Sequence, residues 1–196
     1  TGLEWLIFKN KAHLANKKIR LADIGCGGGD MLKCIHQWGL SKGIKFDLIG
    51  IDANPNIVKY AQINCAGFDN IRFECLDILS DDFQSREFDI IVSSLFFHHF
   101  HESELIRLLR SLQTNISIGL IVNDLHRHRL AYYSIKWITR TFSKSAMVQY
   151  DAPLSVLRGF ARTELENIIN NAGYSISLLK WKWAFRWLII ATPPDS

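Results

Sequence analysis

Short apolar runs alternate with amphipathic stretches along the chain, a pattern expected of an α/β domain whose parallel sheet is covered on both faces. Residues 3–15 read as an opening helix with Leu3, Leu6, Ile7 and Leu14 on one side. Residues 19–24 form a first strand that runs into a glycine-rich turn, and a helix follows over 29–38. A second strand spans 46–51. Asn54 then caps a helix with Pro55 at its first position, running to about Ala66. Strands at 71–75, 88–94 and within 120–123 follow, with a helix over 102–112 between the last two.

The rhythm breaks over 126–160, a helical stretch rich in aromatics (Tyr132, Tyr133, Trp137, Phe142) that leads into a turn at Pro153. It is expected to be an insertion. A helix over 163–171 restores the pattern, with Thr163 and Glu166 in capping-box spacing and Gly173 as its terminal glycine. Strands at 174–182 and 185–191 close the chain as a hairpin. One domain over 1–196 is the expectation, since a chain of 196 residues suffices for one core.

Hydrophobic residues make up 48% and charged residues 21%, a composition that excludes bulk disorder. No apolar run approaches the roughly 20 residues of a membrane span. No secretory leader is legible, and a chain that starts at Thr1 instead of Met leaves open what precedes it. The four cysteines (Cys26, Cys34, Cys65, Cys75) form neither a disulfide framework nor a zinc spacing, so a reduced, cytoplasmic setting is expected. The net charge of +4 is too small to imply nucleic acid by itself.

Candidate chemistry begins at Leu21-Ala22-Asp23-Ile24-Gly25-Cys26-Gly27-Gly28-Gly29-Asp30, where a buried strand hands over to a helix through glycines that let backbone approach a ligand. Asp52 ends the second strand, where a carboxylate can accept both ribose hydroxyls. Asp77 follows the third, with Ile78 and Leu79 as apolar cover for a base. The dinucleotide fingerprint wants glycine at position 30, and two carboxylates, Asp23 and Asp30, would repel a pyrophosphate. They favour a cofactor carrying an ammonium and a sulfonium. The run from Asp23 to Asp30, with Asp52 and Asp77 downstream, resembles the motifs of class I S-adenosylmethionine-dependent methyltransferases.

That resemblance implies a Rossmann-like fold: a seven-stranded, mostly parallel sheet with an antiparallel last strand and a helical lid insertion. It implies S-adenosyl-L-methionine as cofactor. Gly25 and Gly27 would line its methionine part, Asp52 its ribose, Asp77 and Ile78 its adenine, and Ser94 or Leu95 its amino-acid end or sulfonium, with Asp23, Asp30 and Ala53 beside them. Phe88-Asp89-Ile90-Ile91-Val92-Ser93-Ser94-Leu95-Phe96-Phe97-His98-His99-Phe100 is similar to the fourth-strand motif of small-molecule methyltransferases of the ubiquinone and menaquinone type. Asn123-Asp124-Leu125-His126-Arg127 and Tyr150-Asp151-Ala152-Pro153-Leu154-Ser155 resemble a subgroup associated with polyketide or quinone-like phenols.

A phenol acceptor calls for a base near neutral pKa, and His98, His99, His126 and His128 are the candidates, with His99 and His126 placed after strands where acceptors sit. Each could instead cap a helix or bond backbone. A metal site is not expected, because neighbouring histidines diverge and no carboxylate or cysteine stands in ligand spacing. Between His126 and Arg162 seven Lys or Arg residues stand against one acid, Asp151, which favours an aromatic, anionic substrate under the lid; a solvated helix face is the alternative. Strand four lacks the Asn/Asp-Pro-Pro-aromatic box of base amino methyltransferases, which disfavours nucleic acid. An RNA or other macromolecular acceptor, or a non-catalytic cofactor-binding protein, is the alternative function.

Overall fold

The computed structural model describes residues 2–11, 14 and 17–194. Helix α1 (Gly2–Lys9) buries Leu3 and Leu6, and Asn10 closes it by donating its side-chain N–H to the Leu6 carbonyl at 2.9 Å. It is therefore shorter than its apolar spacing suggests, and Ala15, its expected end, lies outside the described residues. Then come β1 (Ile19–Ile24), α2 (Asp30–Lys42), β2 (Phe46–Asp52), α3 (Pro55–Asn64), β3 (Ile71–Cys75), α4 (Asp81–Gln84) and β4 (Phe88–Ser94). A 3-10 turn (Phe97–His99) leads to α5 (Glu102–Leu112) and β5 (Ile116–Leu125). Helices α6 (Arg129–Phe142), α7 (Ala146–Arg158) and α8 (Arg162–Asn171) precede β6 (Ser175–Lys182) and β7 (Arg186–Thr192).

Among the described residues the strands form a seven-stranded sheet in the order β3-β2-β1-β4-β5-β7-β6. β1 to β5 pair in parallel, and β7 runs antiparallel to both β5 and β6. Side chains alternate across each strand, so Leu21 enters one core with Leu32, Ile35, Leu48 and Ile90, while Ala22 and Ile24 enter the other with Ile51, Ile91 and Leu105. Both faces thus carry an apolar core, and in open α/β sheets of this kind ligands bind at the carboxyl ends of the strands.

Three local expectations change. Helix α2 runs past Trp38 because Gly39 lets Phe46 pack against its backbone, where a Cβ would lie 2.7 Å from the ring; Gly43, at φ +67°, is the true stop. Pro153 lies inside α7 and not in a turn, buried with Val156, and that burial outweighs the one backbone hydrogen bond its missing N–H removes. Helix α8 is closed by Glu164, whose carboxylate accepts the Ala161 N–H at 2.9 Å, and not by Thr163 and Glu166; Glu166 pairs instead with Arg162 at 2.9 Å. The Asn54 cap and the glycine after α8 stand as expected.

Candidate active site

The glycine turn after β1 sits at the centre of the sheet, with β2 on one side and β4 on the other. The Ile51 carbonyl accepts the Gly25 N–H at 2.9 Å and the Cys26 N–H at 3.2 Å, which ties the turn to the end of β2. Gly25 has φ +68°, and a Cβ there would meet the Phe96 ring at 2.5 Å, so the turn and the loop after β4 touch directly. Gly27 has φ +52°, and a Cβ there would meet nothing within 4 Å: its backbone faces open space, as close approach of a ligand requires.

Around this turn the carboxylates are in different states. Asp23 is buried, its Oδ1 has no hydrogen-bond partner, and burial lifts its pKa to about 7. Burial, followed by the charges of Asp23 and then Asp52, pushes the Cys26 thiol up to about 12, so both carboxylates act on the same turn. Asp52 is half-buried, with Oδ1 accepting the Asn54 N–H at 2.9 Å. Asp30 is engaged elsewhere: Lys33 pairs with it at 2.6 Å and Asn64 donates to it at 3.2 Å, the two contacts that hold its pKa low.

Further along the strand ends, Ala53 and Asp77 are exposed and Ile78 is buried. Asp77 Oδ1 accepts the Leu79 N–H at 2.9 Å, which shapes the loop after β3. Ser94 ends β4, and Leu95 next to it has φ +56°, a left-handed conformation that is uncommon for a leucine. The turn, Asp52, Asp77, Ser94 and Leu95 therefore lie along one edge of the sheet, at the ends of four neighbouring strands.

The two candidate bases lie in different surroundings. His99 is exposed in the 3-10 turn, its ring 4.3 Å from that of His98 and 6.5 Å from that of Phe96. It lines a cavity of about 300 Å³ with Phe100, Arg127, Arg158 and Phe160. Although the residue as a whole is exposed, partial desolvation of its ring, then the neighbouring His98, holds its pKa below the usual histidine value. His126 follows β5, its ring packed among His128, Phe185 and Trp187, and its buried Nδ1 has no partner; burial and then His128 lower its pKa. A larger cavity of about 770 Å³ lies on the other face, between α1, α2 and the β6–β7 hairpin, with Ser94 and Asn123 in its lining.

Sequence reasoning missed the pair beneath the site. Asp124, fully buried in β5, accepts the Phe96 N–H at 3.2 Å and the Phe97 N–H at 2.8 Å on Oδ2. Its Oδ1 lies 2.8 Å from His98 Nδ1 and also accepts the Leu125 N–H at 2.7 Å. An acid next to the apolar run of β5 was the available signal, because burying a carboxylate is costly unless hydrogen bonds or a bound cation compensate it.

The sheet order and the helices that flank it give the chain the fold of the class I S-adenosylmethionine-dependent methyltransferases. The family described as a methyltransferase domain matches residues 21–119, and the chain belongs to it. Among curated proteins it is 28% identical over 121 residues to a carboxy-S-adenosyl-L-methionine synthase of Helicobacter pylori, covering 62% of this chain and 45% of the relative. The chain thus spans less than half the length of the curated relatives it matches.

Among solved structures, magnesium protoporphyrin IX methyltransferase from Synechocystis PCC 6803 with bound SAH superposes with a TM-score of 0.65 at 16% identity, covering 97% of this chain and 81% of that one. A SAM-dependent methyltransferase from Aquifex aeolicus gives 0.64 at 18% identity, over 94% and 87%. The CMeT domain of the citrinin polyketide synthase gives 0.71 at 13% identity, over 100% and 52%. These likenesses show the fold.

S-adenosylmethionine fits the residues present. The orphaned, buried oxygen of Asp23 is a position that a cationic group would relieve, and the open backbone at Gly27 is a cradle that a Cβ would fill.

Proposed function

We propose that the chain transfers a methyl group from S-adenosylmethionine to an oxygen, in preference to a carbon, of a small aromatic acceptor seated at the ends of β4 and β5. Bound there, the cofactor supplies an electrophilic methyl group. Gly25 and Gly27 then border its amino-acid part near Asp23, Asp52 accepts its ribose hydroxyls, and Asp77 with Ile78 faces the base. Ser94 and Leu95 lie at the sulfonium end. Asp30, already paired with Lys33, stands at the rim and contributes charge more than contact.

The observation that carries the acceptor is the cavity at His99. Its volume of about 300 Å³ suits a single aromatic ring, Phe100 and Phe160 give it apolar walls, and Arg127 and Arg158 stand in its lining with Glu102 and Glu164. Arg127 is ion-paired with Glu164, so Arg158 is the cation for an acidic substituent, and Glu102 directs that substituent to the Arg158 side of the cavity. His99, its pKa held low, is neutral at pH 7 and suited to take a phenolic proton. His126 is the second candidate, with its ring nitrogen Nδ1 unpartnered. Orientation of acceptor against donor supplies most of the rate, up to roughly 7–11 kcal/mol in favourable cases. Helices α6 and α7 follow β5 where a lid was expected, and α7 packs on the 3-10 turn that bears His99, so α7 is the part that covers the acceptor. The described chain acts as one domain in this scheme.

The deciding experiment incubates the protein with S-adenosylmethionine and a panel of hydroxybenzoic acids and follows SAH and methylated products by mass spectrometry. Methylated acid, lost in His99→Gln while SAH binding persists, is the expected result. Tight SAH binding with no product on any phenol would replace this function with a non-catalytic one. Because the curated relatives are named for a carboxylated S-adenosylmethionine, the nucleoside itself is monitored in the same spectra.

A further inference from the structure

Helix α6 presents three faces, and only one is accounted for by the fold. Ala131 and Thr139 are buried and Ile135 half-buried, at spacings of four that place them on one side. That side is spent on packing, since α6 rests on α7 and α7 in turn on the 3-10 turn and β5. Leu130, Tyr133 and Trp137, at i, i+3 and i+7, form a second stripe that stays exposed, each more than 60% accessible. The stripe continues to the tip of the α6–α7 hairpin, where Phe142 is 76% and Met147 73% exposed. Scattered surface leucines are ordinary, but a continuous aromatic stripe ending in an apolar tip is not.

The third face gives the stripe its partner. Arg129, Lys136 and Arg140, at i, i+7 and i+11, run beside the apolar stripe, and Lys144 follows in the loop at the tip. Residues 126–150 contain no Asp or Glu, and among the described residues none of these four cations is paired with a carboxylate. A surface that joins exposed tryptophan and phenylalanine to uncompensated lysine and arginine complements an apolar layer capped with negative charge. No helix of the described residues is long and apolar enough to cross a membrane, and the 14 residues of α6 suit a position in the plane of the interface.

We propose that the outer face of the α6–α7 hairpin docks on an anionic lipid bilayer, with Trp137 and Phe142 inserted between headgroups and Lys136 and Arg140 against them. This goes beyond the methyl-transfer reading and does not depend on it. The hairpin's inner helix faces the site, so docking would hold the acceptor cavity close to the lipid surface.

Vesicle sedimentation tests it with the whole chain. Binding is expected to vesicles of phosphatidylcholine with an equal part of phosphatidylglycerol, and not to phosphatidylcholine alone, and salt should release it. Lys136→Glu with Arg140→Glu should weaken it by more than about tenfold, and Trp137→Glu with Phe142→Glu should abolish it. An unchanged thermal shift with SAH shows that the variants are folded, and vesicle binding needs no methyl transfer, so failure here is separate from failure of the enzymatic reading. Absence of binding to the anionic vesicles, or equal binding by parent and both double variants, overturns the proposal. So does self-association in light scattering that Trp137→Glu removes, which would assign the stripe to a second copy of the chain. Loss of turnover on a soluble acceptor in the Trp137 variant with vesicle binding intact would also overturn it, by assigning the stripe to the substrate.

Discussion

His98 and Asp124 meet at 2.8 Å in the interior, imidazole Nδ1 against carboxylate Oδ1, and through them the loop after β4 is fastened to β5. The same carboxylate takes the backbone N–H groups of Phe96 and Phe97, the residues just before His99. Asp124→Ala leaves those donors buried without a partner, and chemical denaturation should register a loss of roughly 2–4 kcal/mol. His98→Gln, which keeps a polar group in place, should fall well short of that loss. Equal losses in both variants would mean that the backbone contacts of Asp124 contribute nothing.

Asp23 makes stability depend on pH in an unusual direction. Its folded pKa of about 7 lies above the ordinary 3.8, so the folded chain keeps a proton that the unfolded chain has lost. The contribution is complete in acid, declines as pH rises from about 4 to about 7, and is level above that window. Asp23→Asn should flatten the slope, so that melting temperatures at pH 5 and pH 8 differ less than in the parent. Binding of SAH at pH 6 should expel a proton from Asp23, visible in calorimetry as a dependence of the heat on the buffer's ionisation enthalpy.

Turnover on a phenolic acid should hold down to pH values below the usual histidine range and fall as His99 becomes protonated. The sign follows from the base being the neutral imidazole, whose pKa is lowered by burial and by His98. The acid limb should vanish in His99→Gln. Its persistence there would pass the role to His126, whose pKa is lowered as well.

Two glycines separate packing from binding. Gly25→Ala forces a Cβ to within 2.5 Å of Phe96 and should destabilise the fold, as thermal melting would record. Gly27→Ala meets no neighbour and should cost only the left-handed backbone strain, about 1–2 kcal/mol, yet it should weaken SAH binding sharply in calorimetry. Asp52→Ala should lower the same affinity by about tenfold or more, through loss of charge-assisted hydrogen bonds.

The strands were legible because both sheet faces are buried, which makes β1, β2 and β4 near-continuous apolar runs. The start of β5 was not, since Ser117 and Gly119 interrupt it; Gly119 is there because a Cβ would lie 3.0 Å from the Ala191 carbonyl of β7, a contact no local pattern contains. Pro153 misled for a similar reason: helix α7 draws its stability from tertiary burial, not from propensity. In the site, the glycine turn and strand-end acids could be read from spacing. The engagement of Asp30 by Lys33 and Asn64, and the isolation of Asp23, depend on neighbours brought in by other elements.

β7 is wedged between β5 and β6 although it follows both of them in the chain. Until it arrives, β5 displays a bare flank of unpaired backbone groups, next in the chain to Arg127 of the cavity at His99. A nascent chain halted before Arg186 would keep that flank open to pairing with other chains, so resistance to clumping waits on the insertion of one strand between two already made.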